Sequence, residues 1–165
     1  MSGIFGVVSK EDCVLDLFYG TDYHSHLGTR RGGLAAHGPA GFSRVIHNIS
    51  NAQFRSKFDE DIMKMTGQSG IGVISDFEDQ PLIIGSHLGR YAIVTVGKIA
   101  NADDLAREIY GGRTTHFTEM DDGEINPTEL VATLINREGT FTEGILAAQE
   151  AIEGSCSMLL LTEEG

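Results

Sequence analysis

The chain opens Met1-Ser2-Gly3-Ile4-Phe5-Gly6-Val7-Val8, and the reading of this stretch decides the fold. An apolar run interrupted by two glycines reads as a buried strand at the very N-terminus. Chain ends ordinarily fray, because ordering them costs entropy with little return. An apolar end must therefore be held by the rest of the fold, and Gly3 and Gly6 admit a close neighbouring backbone or ligand. Two readings follow. In one, Ser2 becomes the first residue after methionine removal, its hydroxyl attacks a carbonyl carbon, and its own α-amine is the general base. In the other, the stretch is an ordinary first strand.

A chain of 165 residues, 41% of them hydrophobic, makes one domain with a sizeable core, residues 1–165. No apolar run is long enough to span a membrane, and the N-terminus lacks a signal-peptide pattern; a cytoplasmic location is expected. Cys13 and Cys156 are too few and too separated for a disulfide framework or a zinc site, and their apolar contexts predict buried free thiols. A net charge of −12 argues against nucleic-acid and anionic-membrane surfaces. It leaves room for a local cationic pocket. Glycine is common (21) and proline scarce (3), with the glycines dispersed, which implies tight turns and close backbone approaches rather than a linker.

Ser9-Lys10-Glu11-Asp12 reads as a helix start. Val14, Leu15, Leu17 and Phe18 supply an apolar face that Gly20 should end, and a further helical turn is expected over residues 23–27. Gly28-Thr29-Arg30-Arg31-Gly32-Gly33 reads as a basic, glycine-rich turn, the one concentration of positive charge in the chain. After Leu34-Ala35-Ala36 and a turn at Gly38-Pro39, strands are predicted over residues 42–49, 70–75, 81–84, 91–96 and 157–161. Helices are predicted over 51–65, over 102–110 with Asn101 as cap, from Asn126-Pro127 with Leu130, Val131, Leu134 and Ile135 inward, and over 142–152 with Ile145, Leu146 and Ile152 inward. Residues 113–124 read as a polar loop. A last apolar strand lacking its hairpin partner predicts a longer parent chain. It also makes pairing into a homo-oligomer possible.

Motifs for metals and cofactors are weak. His24 and His26 are two apart and would point to different faces of a helix. Gly70-Ile71-Gly72 lacks the third glycine and the helix of a dinucleotide fingerprint, and Asp121-Asp122-Gly123-Glu124 is too short for a calcium loop. No metal and no cofactor is expected.

Four pieces carry a resemblance when taken in order: Ser2-Gly3-Ile4-Phe5-Gly6, Thr29-Arg30-Arg31-Gly32-Gly33, Gly70-Ile71-Gly72-Val73-Ile74 with Gln80-Pro81, and the segment 91–102. Together they resemble the glutaminase domain of class II glutamine amidotransferases, and within them that of the glutamine phosphoribosylpyrophosphate amidotransferases of purine synthesis. The resemblance runs over nearly the whole chain. It implies an α+β fold, the four-layer αββα N-terminal-nucleophile hydrolase sandwich, truncated here at its C-terminus. It also implies a phosphoribosyltransferase domain further along the parent chain, and glutamine or another small amide as ligand.

The same resemblance assigns roles position by position. The family's nucleophile is a cysteine after the initiator methionine; here Ser2 stands there, a weaker nucleophile near neutral pH, and with Met1 retained it would lack its base. Arg31, before Gly32, matches the arginine that supports the site. Ser75 stands where an arginine binds the substrate carboxylate, which removes a bidentate charged hydrogen bond. The oxyanion-hole Asn-Gly pair is Val96-Gly97, leaving the Gly97 amide; one lost side-chain donor is worth roughly 10²–10³ in rate. The acid for the substrate ammonium is replaced by Pro127, with Asn126 better placed as a helix cap. The implied function is thus a glutaminase-type domain with a degenerate glutamine site. Two alternatives stay open: a non-catalytic regulatory or ligand-binding module, and an N-terminal serine amidohydrolase with another substrate.

Overall fold

The computed structural model describes residues 2–26, 30–111, 120, 121 and 124–165. Met1, Leu27, Gly28, Thr29 and the greater part of the predicted polar loop over 113–124 lie outside the described residues, as do Asp122 and Gly123 of the acidic turn.

The chain folds as a mixed α/β protein around two antiparallel sheets. The first contains β1 (Gly3–Val8), β2 (Arg31–Gly38), β3 (Gly41–Asn48) and β4 (Ser69–Ser75) in the order β1-β4-β2-β3. The second contains β5 (Leu82–Ser86), β6 (Gly89–Ile99) and β9 (Gly154–Thr162) in the order β5-β6-β9. A minimal hairpin joins β7 (Met120–Asp121) to β8 (Glu124–Ile125). The helices are α1 (Val14–Asp22), α2 (Phe54–Ile62), α3 (Ala102–Gly111), α4 (Pro127–Ile135) and α5 (Phe141–Ala151).

Strand alternation divides the apolar side chains among three clusters. Leu34, Ala36 and Ile74 of the first sheet pack with Leu17 and Phe18 of α1 and with Phe54 and Phe58 of α2. Tyr91 and Ile93 of the second sheet pack with Leu105 of α3, Leu130 of α4 and Ala148 of α5. The opposite faces of the two sheets meet through Ala35, Ile71, Val73, Ala92, Val94 and Leu161. Burial on both faces explains why β4, read from Gly70-Ile71-Gly72-Val73-Ile74, is buried along its whole length.

The glycines of β4 have a packing reason. A Cβ on Gly70 would overlap Leu17 and one on Gly72 would overlap Thr21, so α1 lies closer to the sheet than any larger residue would allow. The same closeness overturns the prediction that Gly20 ends the helix. Gly20 lies inside α1 against the Phe5 ring, with no room for a Cβ. The helix also begins later than Ser9. Ser9 Oγ accepts from Glu11 N at 3.1 Å, and Asp12 Oδ1 accepts from Val14 N at 3.1 Å at the helix start.

Three further expectations are corrected. Arg31, Gly32 and Gly33 are not turn residues but the start of β2, paired on both sides with β3 and β4. Leu146 points outward, 56% exposed, because α5 turns Gly144 and Ala148 inward instead. Asn101 holds the N-cap position of α3 with its carbonyl, which accepts from Asp104 N and Leu105 N. Its side chain goes elsewhere, donating to Ala151 O and accepting from Glu153 N. Asn126 caps α4 as predicted, its Oδ1 accepting from Thr128 N at 2.9 Å and Glu129 N at 3.3 Å. Among the described residues no helix is long and apolar enough to cross a membrane.

Candidate functional site

The site is built at one end of the first sheet. In β2–β4 pairing Arg31 stands opposite Ser75, and in β1–β4 pairing Gly3 stands opposite Ile74. One residue beyond Gly3, Ser2 therefore continues the row that holds Ser75 and Arg31. The three are also in phase with Ile4, Ile71, Val73 and Ala35, the side chains turned toward the second sheet. Three positions far apart in sequence thus share a row and a face. Gly32, one residue out of phase, turns the other way, with the Phe54 ring 3.0 Å from where its Cβ would be.

Ser75 is 2% exposed, and its Oγ accepts from Phe77 N at 3.2 Å, which turns the chain out of β4. Arg31 Nε meets Asp79 Oδ1 at 2.6 Å, tying the following loop to β2. That loop then crosses β2 so closely that a Cβ on Gly33 would overlap the Gln80 carbonyl, just before the cis Gln80-Pro81 bond. Asn126 joins the same loop, its Nδ2 reaching Asp79 O at 3.4 Å.

Behind the loop lies a buried polar network that the sequence reading missed. Gln80, 1% exposed, donates to Glu78 Oε1 at 2.8 Å and to Thr95 O at 2.9 Å, and accepts from Thr95 N at 2.7 Å. Thr128 bridges Thr95 Oγ1 at 2.6 Å and Glu78 Oε1 at 3.3 Å. A threonine within an apolar strand reads as a β-former, and Glu78 reads as one of several loop acids; only the fold brings them together. Buried groups of this kind must be bonded, because an unsatisfied one costs about 1–3 kcal/mol.

This network forms one wall of an open cleft of about 650 Å³. Val96, Gly97 and Pro127, three of the predicted site positions, line it. Gly97 has φ +144°, and a Cβ there would overlap Ser155 O in β9; only glycine fits this position. Ile99 and Ile125 extend the apolar lining, and Arg30, Lys98 and Phe77 also contribute. Cys156, opposite Gly97 in β9, lines the cleft too and is half-buried rather than buried. Burial pushes its thiol above the ordinary range, and the nearby Glu78 carboxylate adds to the shift. A thiol so placed is held protonated and is a poor nucleophile. Burial likewise raises Cys13, the N-cap residue of α1, which is not among the residues lining the cleft. Ser2, Arg31, Ser75 and Asn126 stand beside the cleft lining rather than in it. Among the described residues no group of His, Cys, Asp or Glu is arranged to hold a metal ion.

The amidophosphoribosyltransferase of Methanocaldococcus jannaschii is 27% identical to this chain over 173 residues, a match that takes in 98% of the chain. The chain is similar to the N-terminal part of amidophosphoribosyltransferase. A glutamine phosphoribosylpyrophosphate amidotransferase from B. subtilis, determined with ADP and GMP, superposes with a TM-score of 0.81 over 99% of the chain at 23% identity. A structure described as the allosteric regulatory enzyme of purine biosynthesis gives 0.82 over 99% at 22% identity. These two likenesses are of fold. The chain spans 36% of the length of the Methanocaldococcus amidophosphoribosyltransferase and 35% and 36% of the two solved chains. No family model matches the chain.

Proposed function

We propose that the chain is the glutaminase-type domain of an amidophosphoribosyltransferase-like protein of purine biosynthesis, and that its glutamine site is degenerate. The reading includes the four-layer αββα arrangement of N-terminal-nucleophile hydrolases, favoured by three apolar clusters that alternate with two sheets. It also includes a phosphoribosyltransferase domain elsewhere in the parent chain, and a cytoplasmic location.

One observation carries it. The Val96-Gly97 pair lines the cleft and the row of Ser2, Ser75 and Arg31 stands beside its lining, yet the side chains at these positions are not those that glutamine chemistry needs. Val96 offers no donor to an oxyanion. Pro127 offers no carboxylate to an ammonium. Ser75 is buried with its hydroxyl already engaged. In an active site of this design residue 2 attacks the glutamine amide carbon, ammonia leaves, and water releases glutamate. Here the attacking group is a hydroxyl, and the oxyanion has the Gly97 amide without a side-chain partner. The parent protein then draws on free ammonia, or uses this domain for regulation and assembly.

The test is glutamate release from L-glutamine by the full-length protein, with intact mass on the same sample to establish whether Met1 is removed. No release from a protein with a free Ser2 amine is the expected result. Turnover from that processed N-terminus overturns the degenerate site.

A further inference from the structure

The cleft has a composition of its own. Its walls are apolar at Val96, Ile99, Ile125 and Pro127, and Phe77 stands 69% exposed at its mouth. Two cations border it from distant parts of the chain: Arg30, immediately before β2, and Lys98, near the end of β6. Among the described residues neither is in an ion pair, whereas Arg31, Arg55, Arg90, Arg107 and Arg137 all are. Two cations left open at one cleft are notable in a chain of net charge −12. The carboxylate within the cleft, Glu78, is 8% exposed, and its Oε1 already accepts from Gln80 and Thr128. It belongs to the polar network that forms one wall of the cleft, and both of those bonds are made within that network.

Given the reading that the cleft no longer turns over glutamine, on which this rests, we infer that it binds a small organic anion: one anionic group on an apolar body, with no ammonium group. Arg30 offers a planar fork that matches a carboxylate or phosphate edge, and Lys98 a point charge beside it. The apolar walls take the body of the ligand, and Phe77 covers it at the mouth. Among the described residues the one carboxylate lining the cleft is Glu78, 8% exposed and already bonded to Gln80 and Thr128, so an α-ammonium facing Pro127 and the valine and isoleucine walls would lose hydration without gaining a dedicated carboxylate. The cleft therefore selects against amino acids while keeping affinity for their deaminated analogues.

The probes are L-glutamine, glutaramate (glutamine lacking its ammonium), γ-aminobutyramide (glutamine lacking its carboxylate) and inorganic phosphate, titrated calorimetrically into the full-length protein. Glutaramate is expected to bind about tenfold or more tighter than L-glutamine, since one unmatched charged group is worth at least that. γ-Aminobutyramide should not bind. Arg30→Ala and Lys98→Ala should each weaken glutaramate about tenfold while leaving the thermal unfolding midpoint unchanged, because both side chains are exposed. L-glutamine binding as tightly as glutaramate overturns the inference, as does glutaramate affinity indifferent to both alanine variants. Inorganic phosphate binding as tightly as glutaramate overturns the part assigned to the apolar walls. Glutamate release is a separate readout. Turnover of glutamine sinks the degenerate-site reading, whereas a protein that neither hydrolyses glutamine nor binds glutaramate sinks this inference alone.

Discussion

The Gln80 carbonyl oxygen lies over Gly33 in the space that a Cβ there would need. The loop from β4 to β5 is thereby seated on β2, and the carboxamide of the same Gln80 reaches back to both backbone groups of Thr95 in β6. One residue couples the two sheets beside the cleft. Gly33→Ala must displace backbone rather than a mobile side-chain end, so a loss of about 3 kcal/mol or more is expected. Urea denaturation of the variant checks it.

Gln80→Leu keeps the volume and removes three hydrogen bonds. Thr95 N, Thr95 O and Glu78 Oε1 each lose a partner in a buried setting. At about 1–3 kcal/mol for each stranded group, partly relieved by water, a loss of about 3–5 kcal/mol is expected. Thr128→Val should cost less, about 1–2 kcal/mol, because Glu78 Oε1 keeps its bond from Gln80 and Thr95 Oγ1 alone loses its partner. Equal losses in the two unfolding curves would contradict the central place given to Gln80.

Asn126→Ala removes the acceptor for Thr128 N and Glu129 N at the start of α4, and the donor to Asp79 O. A loss of about 1–2 kcal/mol is expected. Asn126→Asp, which keeps the acceptor, should recover the larger part in the same denaturation assay.

Tyr91 is buried, and its hydroxyl donates to Asn136 Oδ1 at 3.1 Å. Burial pushes its pKa up to about 12, against the smaller opposing effect of that hydrogen bond. The folded state thus holds a proton that the unfolded chain releases near pH 10. This contribution is complete below pH 10 and is lost as pH rises from about 10 towards about 12, on the order of 2 kcal/mol. Denaturation of wild type and Tyr91→Phe at pH 8, 10 and 11.5 checks the sign: the wild-type advantage should shrink with pH.

Placing an arginine at position 75 is not expected to create a clamp for a substrate carboxylate. Ser75 is 2% exposed and its hydroxyl sets the turn at Phe77. Ser75→Arg buries a guanidinium without a carboxylate placed for it, at a cost of about 3 kcal/mol or more. Lowered thermal stability without glutamate release is the predicted outcome, and glutaminase activity in this variant would contradict it.

Much of this architecture is legible along the chain because it rests on local rules. The run over 70–75 is apolar on both faces and is a strand buried on both sides. Asn126-Pro127 pairs an acceptor with a residue that has no N–H to satisfy, and α4 starts there. The ordered glycine and arginine motifs pointed to the fold that the solved amidotransferases share. The misreadings are of another kind. Gly20 has the chemistry of a helix stop and serves as a contact for Phe5; Arg31-Gly32-Gly33 has the composition of a turn and is a strand; Leu146 has the hydropathy of a core residue and is exposed.

Strand periodicity, helix caps and the order of motifs are properties of neighbours in sequence, and for them the chain alone sufficed. The row of Ser2, Ser75 and Arg31 depends on the register of three strands. The Glu78-Gln80-Thr95-Thr128 network depends on a loop, a strand and a helix meeting in one buried volume. Arg30 and Lys98 become a pair only where the ends of β2 and β6, strands of two different sheets, flank one cleft. Such contacts are set by how closely the layers pack, and no residue's own propensity carries that information.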